Sequence, residues 1–181
     1  HIPKEKLWIT VHDTDLDAKN IWISQIGIDE NRLSVISTND NFWSMGDVGP
    51  CGPCTEIFYD YGDGYEGNPP GLGDEGDRFV EIWNLVFMQF NRISKDKIID
   101  LPAPSVDTGM GLERICAVMQ NVHSNYDTDL FVPITKHIES NISKDFLKEK
   151  SSMKVIADHI RSISFLISEG VRPSNEGHGY V

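Results

Sequence analysis

Residues Phe79 to Phe90, FVEIWNLVFMQF, are apolar at nearly every position and rich in β-branched and aromatic side chains. A run of this kind marks a central strand covered on both faces, because a half-exposed strand would alternate apolar and polar residues. Strand geometry then divides it into two rows. Val80, Ile82, Asn84, Val86, Met88 and Phe90 share one face, while Phe79, Glu81, Trp83, Leu85, Phe87 and Gln89 share the other. Asn84 is thus a lone polar group in an apolar row. An amide buried there without a partner costs about 1–3 kcal/mol, so Asn84 must meet either backbone or a ligand.

Other elements arrange themselves around this strand. Leu7 to Val11 reads as a strand, Asp13 to Ile26 as a helix with acidic residues at its start, and Arg32 to Ser37 as a second short strand. Residues 62–77 hold too much Gly, Pro and Asp for a regular element and form a loop. The acids of that loop do not follow the spacing of a calcium-binding EF-hand. Downstream, SVDTGMGLERI, Ser105 to Ile115, packs an acid, two glycines and a Glu-Arg pair into the turn that starts a helix. Gly109 and Gly111 open backbone conformations closed to other residues and admit a ligand close to the chain. Leu112, Ile115, Cys116 and Met119 form the buried face of that helix. Glu113 and Arg114 then lie in its first turn, where an Arg fork grips a phosphate or stacks on a base and the helix end favours anions. A surface salt bridge is the alternative role for Arg114.

Beyond Gln120 the pattern is helical, over Thr128 to Ser140 and Ser152 to Glu169. Val155, Ile156, His159, Ile160, Ile163, Leu166 and Ile167 make an apolar stripe on the second helix, in which His159 reads as a packed or hydrogen-bonded residue. Gly170 and Pro173 terminate it.

The 181 residues suffice for one domain, or one and part of a second. No stretch reaches the roughly 18–20 uninterrupted apolar residues of a membrane span, and the first residues do not form a signal peptide. A soluble, cytoplasmic protein without a membrane partner is expected. Three cysteines do not suggest a disulfide framework. Cys51 and Cys54 form a CxxC, yet no second ligand pair follows, so packing in tight Gly-Pro-Cys turns is favoured over a zinc site. The net charge of −12 excludes a nucleic-acid clamp over the whole chain. It is unevenly spread: residues 1–143 carry 10 basic and 23 acidic side chains, residues 144–181 carry 6 and 5. Any RNA contact is expected in the second part.

DTGMGLER resembles motif 3 of the class II aminoacyl-tRNA synthetases. Together with NFWSMGDVGPCGPCTEIFYD (Asn41 to Asp60), EIWNLVFMQFNR (Glu81 to Arg92) and DHIRSISFLISEGVRPSNEGHGYV (Asp158 to Val181) it resembles the alanyl-tRNA synthetase family. The resemblance runs along almost the entire chain. It implies an α/β (α+β) fold, a class II antiparallel sheet flanked by helices, incomplete, over residues 1–128, and the start of a helical tRNA-recognition domain over 129–181. It implies alanine, ATP with Mg²⁺, and tRNA(Ala) as partners. By the same resemblance Asp107 anchors the substrate ammonium, while Asn84, Val86 and Trp43 line the alanine site. Arg114, as the catalytic residue, contacts ATP, with Gly109 and Gly111 beside it. Glu56 is a candidate ATP or Mg²⁺ contact, and Asn175 a reader of the tRNA acceptor stem.

The reaction so implied is formation of alanyl-adenylate and transfer of alanine to the tRNA 3′ end. A pocket of this kind separates one methylene by only about 1–3 kcal/mol, so some activation of glycine and serine is expected. The family's editing domain and its zinc motif are not expected in this segment. The family's motifs 1 and 2 would precede His1, so these residues alone are expected to be inactive. A non-catalytic paralogue that binds an aminoacyl-adenylate or an acceptor stem is the alternative.

Overall fold

The computed structural model describes residues 2–73, 76–142 and 150–180. The chain divides into two compact units, His1–Met119 and Gln120–Val181.

The first unit is built on a six-stranded sheet in the order β2-β1-β4-β5-β6, with β3 also paired to β4. Its strands are β1 (Leu7–His12), β2 (Leu33–Ile36), β3 (Phe42–Ser44), β4 (Gly49–Asp60), β5 (Phe79–Ser94) and β6 (Lys97–Met110). All pairs are antiparallel except β1 with β2, which are parallel. That exception follows from the crossover between them. Asp15 caps helix α1 (Leu16–Asn20) by accepting from the Ala18 amide at 3.0 Å, the helix continues as a π-helix over Ile21–Ile26, and Gly27 at φ 74° ends it. One side of the sheet carries the core: Ile9, Val11, Ile57 and Ile82 with Ala18 and Ile28, backed by Trp22, Trp83, Leu85 and Phe87. Full burial of a side chain such as Ile9 contributes about 1.5–3 kcal/mol.

Helix α2 (Leu112–Met119) packs Ile115 and Val118 against the same core, and its Ala117 is buried. The expected face of Leu112, Ile115, Cys116 and Met119 is rotated, since Leu112 and Met119 are exposed. The rotation has a local cause: β6 runs without a loop to Met110, and the Gly111 amide bonds the Ile82 carbonyl at 3.2 Å, which sets where the helix begins. Consequently Gly109 lies within a strand rather than a turn, and neither Gly109 nor Gly111 has a positive φ.

The Gly-Pro-Cys repeats likewise form no tight turns. They lie inside β4, where a register shift between Cys51 and Cys54 makes a β-bulge against β5. Pro53 has no amide to give the ladder, and Gly52 approaches the neighbouring backbone so closely that an added Cβ would lie 2.0 Å from the Phe87 carbonyl oxygen. A second shift, between Ile57 and Phe58, leaves Ile82 without a partner on β4. This bulge breaks the simple alternation expected for Phe79–Phe90. Ile82 turns into the core beside Trp83 and Leu85, while Phe79 and Glu81 pair with Asp60 and Phe58. β5 is central, with Ile82 buried toward the helices and Phe79 and Val86 buried on the other face; most of its remaining residues are half-buried.

No residue of 62–77 that the structure describes belongs to a helix or strand; Asp74 and Glu75 lie outside the described residues. The loop is tied down by buried Asp60, whose carboxylate accepts from Arg78 at 2.7 Å, from the Gly62 amide at 2.8 Å and from Arg32 at 3.4 Å. Burial opposes its ionisation, but the hydrogen bonds from Arg78 and Gly62 and the two guanidinium charges outweigh it, holding the carboxyl below the usual range.

In the second unit, α3 (Val132–Asn141) and α4 (Lys150–Ser168) pack Phe131 and Ile138 against Met153 and Ala157. The apolar stripe of α4 is mostly exposed, at Val155, Ile160, Ile163, Leu166 and Ile167. At about 1.5 Å per residue, α4 with 19 residues outruns α3 with 10. His159 is exposed too, with Nδ1 3.5 Å from Asp158. The helix ends as its sequence predicts: Gly170 takes φ 86°, and the Val171 amide bonds back to Leu166 at 2.9 Å.

Candidate active site

Opposite residues in a sheet present their side chains on the same face, so the pairings of β1, β4, β5 and β6 define the site. Thr10 pairs with Glu56, Glu56 with Asn84, and Asn84 with Gly109. In the next row Cys54 pairs with Val86 and Val86 with Asp107. Glu56, Asn84, Val86, Asp107 and Gly109, five residues singled out from far-separated segments, are thereby neighbours on the face away from the helices. Asn84 finds a side-chain partner, donating from Nδ2 to Glu56 Oε1 at 3.5 Å, while its buried Oδ1 has none. Val86 is buried and Asp107 exposed, its Oδ1 accepting from the Thr108 amide at 2.8 Å. Gly109 leaves open space where a Cβ would stand.

Trp43, half-buried, enters from β3 opposite Gly52, and next to it the Cys54 thiol donates to the Asp40 carbonyl at 3.8 Å. That thiol is pushed up to about 12, first by burial and then by the nearby Glu56 charge. It stays protonated and inert. Among the described residues no group of three or more His, Cys, Asp or Glu is placed to hold a metal ion.

Arg114 reaches the same face from the first turn of α2. Its Nη1 donates to the Glu81 carbonyl oxygen at 2.8 Å and to Glu81 Oε2 at 3.1 Å. Glu81 is available to it because of the bulge at Ile82. Arg114, Glu81, Glu56, Asp40, Phe58 and Phe79 line a cavity of about 510 Å³ beside the Glu56–Asn84 row. In this cavity the Arg114 guanidinium is placed to neutralise a phosphate and the carboxylates to accept from hydroxyls, while the Phe58 and Phe79 rings are themselves buried and form its apolar floor.

Support for Glu56 comes from residues that sequence reasoning passed over. Fully buried Asn41 donates from Nδ2 to Thr10 Oγ1 at 2.8 Å and to the Cys54 carbonyl at 2.9 Å. Thr10 in turn lies 3.5 Å from Glu56 Oε2 and accepts from the Glu56 amide at 3.3 Å. Asn41 directly precedes Phe42 and Trp43, and a polar residue beside that aromatic pair is the sequence signal for it. Strict alternation along β5 places Glu81 on the opposite face, and the bulge at Ile82 brings it to this one. Asn175 lies in the second unit, exposed in the turn after α4, where the Ser174 amide bonds the Gly179 carbonyl at 2.9 Å.

A family described as tRNA synthetases class II (A) matches residues 1–181. The chain belongs to this family. Curated relatives agree. It is 59% identical over 181 residues to an alanine–tRNA ligase of Psychromonas ingrahamii, covering 99% of this chain and 21% of that protein. It is 59% identical over 182 residues to one of Legionella pneumophila, strain Corby, covering 100% and 21%, and 57% identical over 184 residues to one of Acidithiobacillus ferridurans, covering 99% and 21%. The chain thus spans about a fifth of the length of these relatives. The mixed sheet with flanking helices is consistent with a class II synthetase-like α/β fold. No helix among the described residues is long and apolar enough to cross a membrane.

Proposed function

We propose that the chain is the part of an alanine–tRNA ligase that holds alanine and the adenylate. The observation that carries this reading is the registered row of Glu56, Asn84 and Gly109 beside Val86 and Asp107, next to the Arg114 cavity. Asp107 would hold the alanine ammonium by a charge-assisted hydrogen bond. The unpartnered Asn84 oxygen supplies a second acceptor for it. Val86 and Trp43 give a short apolar wall for a methyl group, and Gly109 leaves room for the adenylate to lie against β6.

In the reaction the alanine carboxylate oxygen attacks the α-phosphorus of ATP. A carboxyl–phosphorus bond forms, the bond to the β-phosphate oxygen breaks, and pyrophosphate leaves. A hydroxyl of the terminal tRNA ribose then attacks the alanyl carbonyl, and AMP leaves. Arg114 would neutralise phosphate charge, with Glu81 fixing its position. Glu56 fits a Mg²⁺ contact, since Mg²⁺ takes one or two carboxylates and completes its shell with water and phosphate oxygens; the ion would screen the phosphate charge. Positioning and electrostatics supply most of the rate in such transfers. Residues 129–181 would begin the tRNA-recognition domain, with Asn175 contacting the acceptor stem.

Calorimetric titration of the chain with non-hydrolysable alanyl-, seryl- and glycyl-adenylate analogues tests the reading, with Asp107→Asn as the control. Saturable binding that prefers the alanyl analogue and is lost in the variant is expected. Equal binding of all three, or binding untouched by Asp107→Asn, would overturn it.

A further inference from the structure

A second cavity, of about 690 Å³, lies at the other end of the sheet and is used by nothing described so far. It forms where β3, the start of β4 and the end of β5 meet. Phe42, Ser44, Asn39, Arg92 and Lys95 line it, together with Asp47 and Val48. Arg92 Nη2 donates to Ser44 Oγ at 3.3 Å, and its Nε is buried with no partner. Neither Arg92 nor Lys95 forms an ion pair among the described residues. In a chain whose 28 acidic side chains outnumber 16 basic ones, two cations without an ion pair at one cavity make it a place that can take an anion. Asp47 offsets one of the charges, yet it is exposed and lies beyond 4 Å of both.

Position narrows the anion. Along β5, Glu81 at the Arg114 cavity comes first, then Asn84 and Val86, then Arg92. At about 3.3 Å per residue, Arg92 lies roughly 20 Å past Val86, on the side away from the nucleotide cavity. The proposed alanine pocket therefore sits between a cavity for the adenylate and a basic cavity with an aromatic wall. We propose that Arg92, Lys95 and Phe42 receive the single-stranded 3′ end of the RNA, with the cations on backbone phosphates and the ring on a base. This rests on the adenylate reading of the Asn84–Asp107 pocket. Cations that track the backbone, together with an aromatic face for a base, are how single strands are held without sequence readout. A strand entering here reaches the alanine from the side opposite the nucleotide, a path that a few extended nucleotides cover.

The test is titration of the chain with an RNA hairpin bearing a four-nucleotide single-stranded 3′ overhang, and with the same hairpin blunt-ended. Arg92→Gln and Lys95→Gln are compared with the parent, and the alanyl-adenylate analogue is titrated alongside. Each substitution is expected to weaken overhang binding about fivefold at 0.1 M salt and to reduce the log–log salt slope by about 0.7, the value for one lost single-strand phosphate contact. Blunt-hairpin and analogue affinities should not change. Overhang binding unaffected by both substitutions, or absent, overturns the inference, as does equal competition by pyrophosphate or by an acidic peptide. Analogue binding that is absent while overhang binding behaves as expected overturns the adenylate reading alone. Lys95 lies exposed in the β5–β6 hairpin, so its variant separates a contact from a folding defect if Arg92→Gln unfolds.

Discussion

Gly52 and Gly109 both stand in the strands that build the site, and substituting each by alanine should have opposite consequences. A Cβ on Gly52 would lie 2.0 Å from the Phe87 carbonyl oxygen and 3.0 Å from the Gln89 amide nitrogen, both of them backbone atoms. Relief to ordinary contact, about 3.5 Å, requires β4 and β5 to part by more than about 1 Å. Overpacking of this sort costs about 1–3 kcal/mol, and each ladder hydrogen bond lost at the bulge adds about 1 kcal/mol. Against a domain stability of about 5–15 kcal/mol the loss is large. A Cβ on Gly109 meets nothing within 4 Å, at a φ open to any residue. Gly109→Ala should therefore leave stability unchanged or raise it by about 0.4–1 kcal/mol through the unfolded chain. Its methyl would stand in the Glu56–Asn84 row and weaken adenylate-analogue binding about tenfold, or about 1.4 kcal/mol. All four tryptophans, Trp8, Trp22, Trp43 and Trp83, lie in the first unit, so denaturant unfolding followed by tryptophan emission reports on that unit. Gly52→Ala within about 0.5 kcal/mol of the parent would refute the close-approach argument, and a destabilised Gly109→Ala would refute the open-space one.

Asp60→Asn should cost about 1.5–3 kcal/mol, the worth of hydrogen bonds to a charged group, because both arginines are part-exposed and Arg78 keeps its ion pair with Asp63 at 2.8 Å. Because the folded state lowers the Asp60 pKa, its contribution is present above the ordinary carboxylate range and is lost as pH falls through the folded value, so the variant should show a flatter acid limb in stability against pH. Cys54, pushed up to about 12, should resist iodoacetamide at pH 8 under native conditions while half-buried Cys116 reacts; labelling of Cys54 at the rate of an unfolded control would contradict this. Glu81→Gln should leave stability within about 1 kcal/mol, as for a part-exposed ion pair, yet weaken adenylate-analogue binding severalfold by releasing Arg114; unchanged affinity by calorimetry would count against the Arg114 role.

Legibility of the fold varied with how local its cause was. The strand at Phe79–Phe90, the ending of α4 at Gly170 and the strands at Leu7 and Arg32 announce themselves through runs, alternation and caps, which depend on neighbours in sequence. The two bulges did not, because a bulge is a relation between strands. Nothing within IFYD or VEIWN marks Ile82 as the residue without a partner; only the pairing of β4 with β5 does. The exposed stripe on α4 has the same origin, since periodicity shows which residues could be buried and not how far α3 extends to bury them.

The site was legible for a different reason. Asn84 stood out as one amide in an apolar row, and an unusual polar group in a strand carries information about the face opposite the core. What the residues alone could not supply was company. Glu56, Asn84 and Gly109 come from three segments, and only register aligns them. The bulge at Ile82 is what makes that alignment useful, because it places Glu81 where Arg114 can be held against the Glu56 cavity. A straight β5 would keep Glu81 among the core side chains, where an ionised carboxylate is costly, and would leave Arg114 with no anchor on β5. The irregularity in the strand and the placement of the guanidinium are therefore one feature: removing the bulge by deleting Ile82 should cost the Arg114 contact and the core packing together.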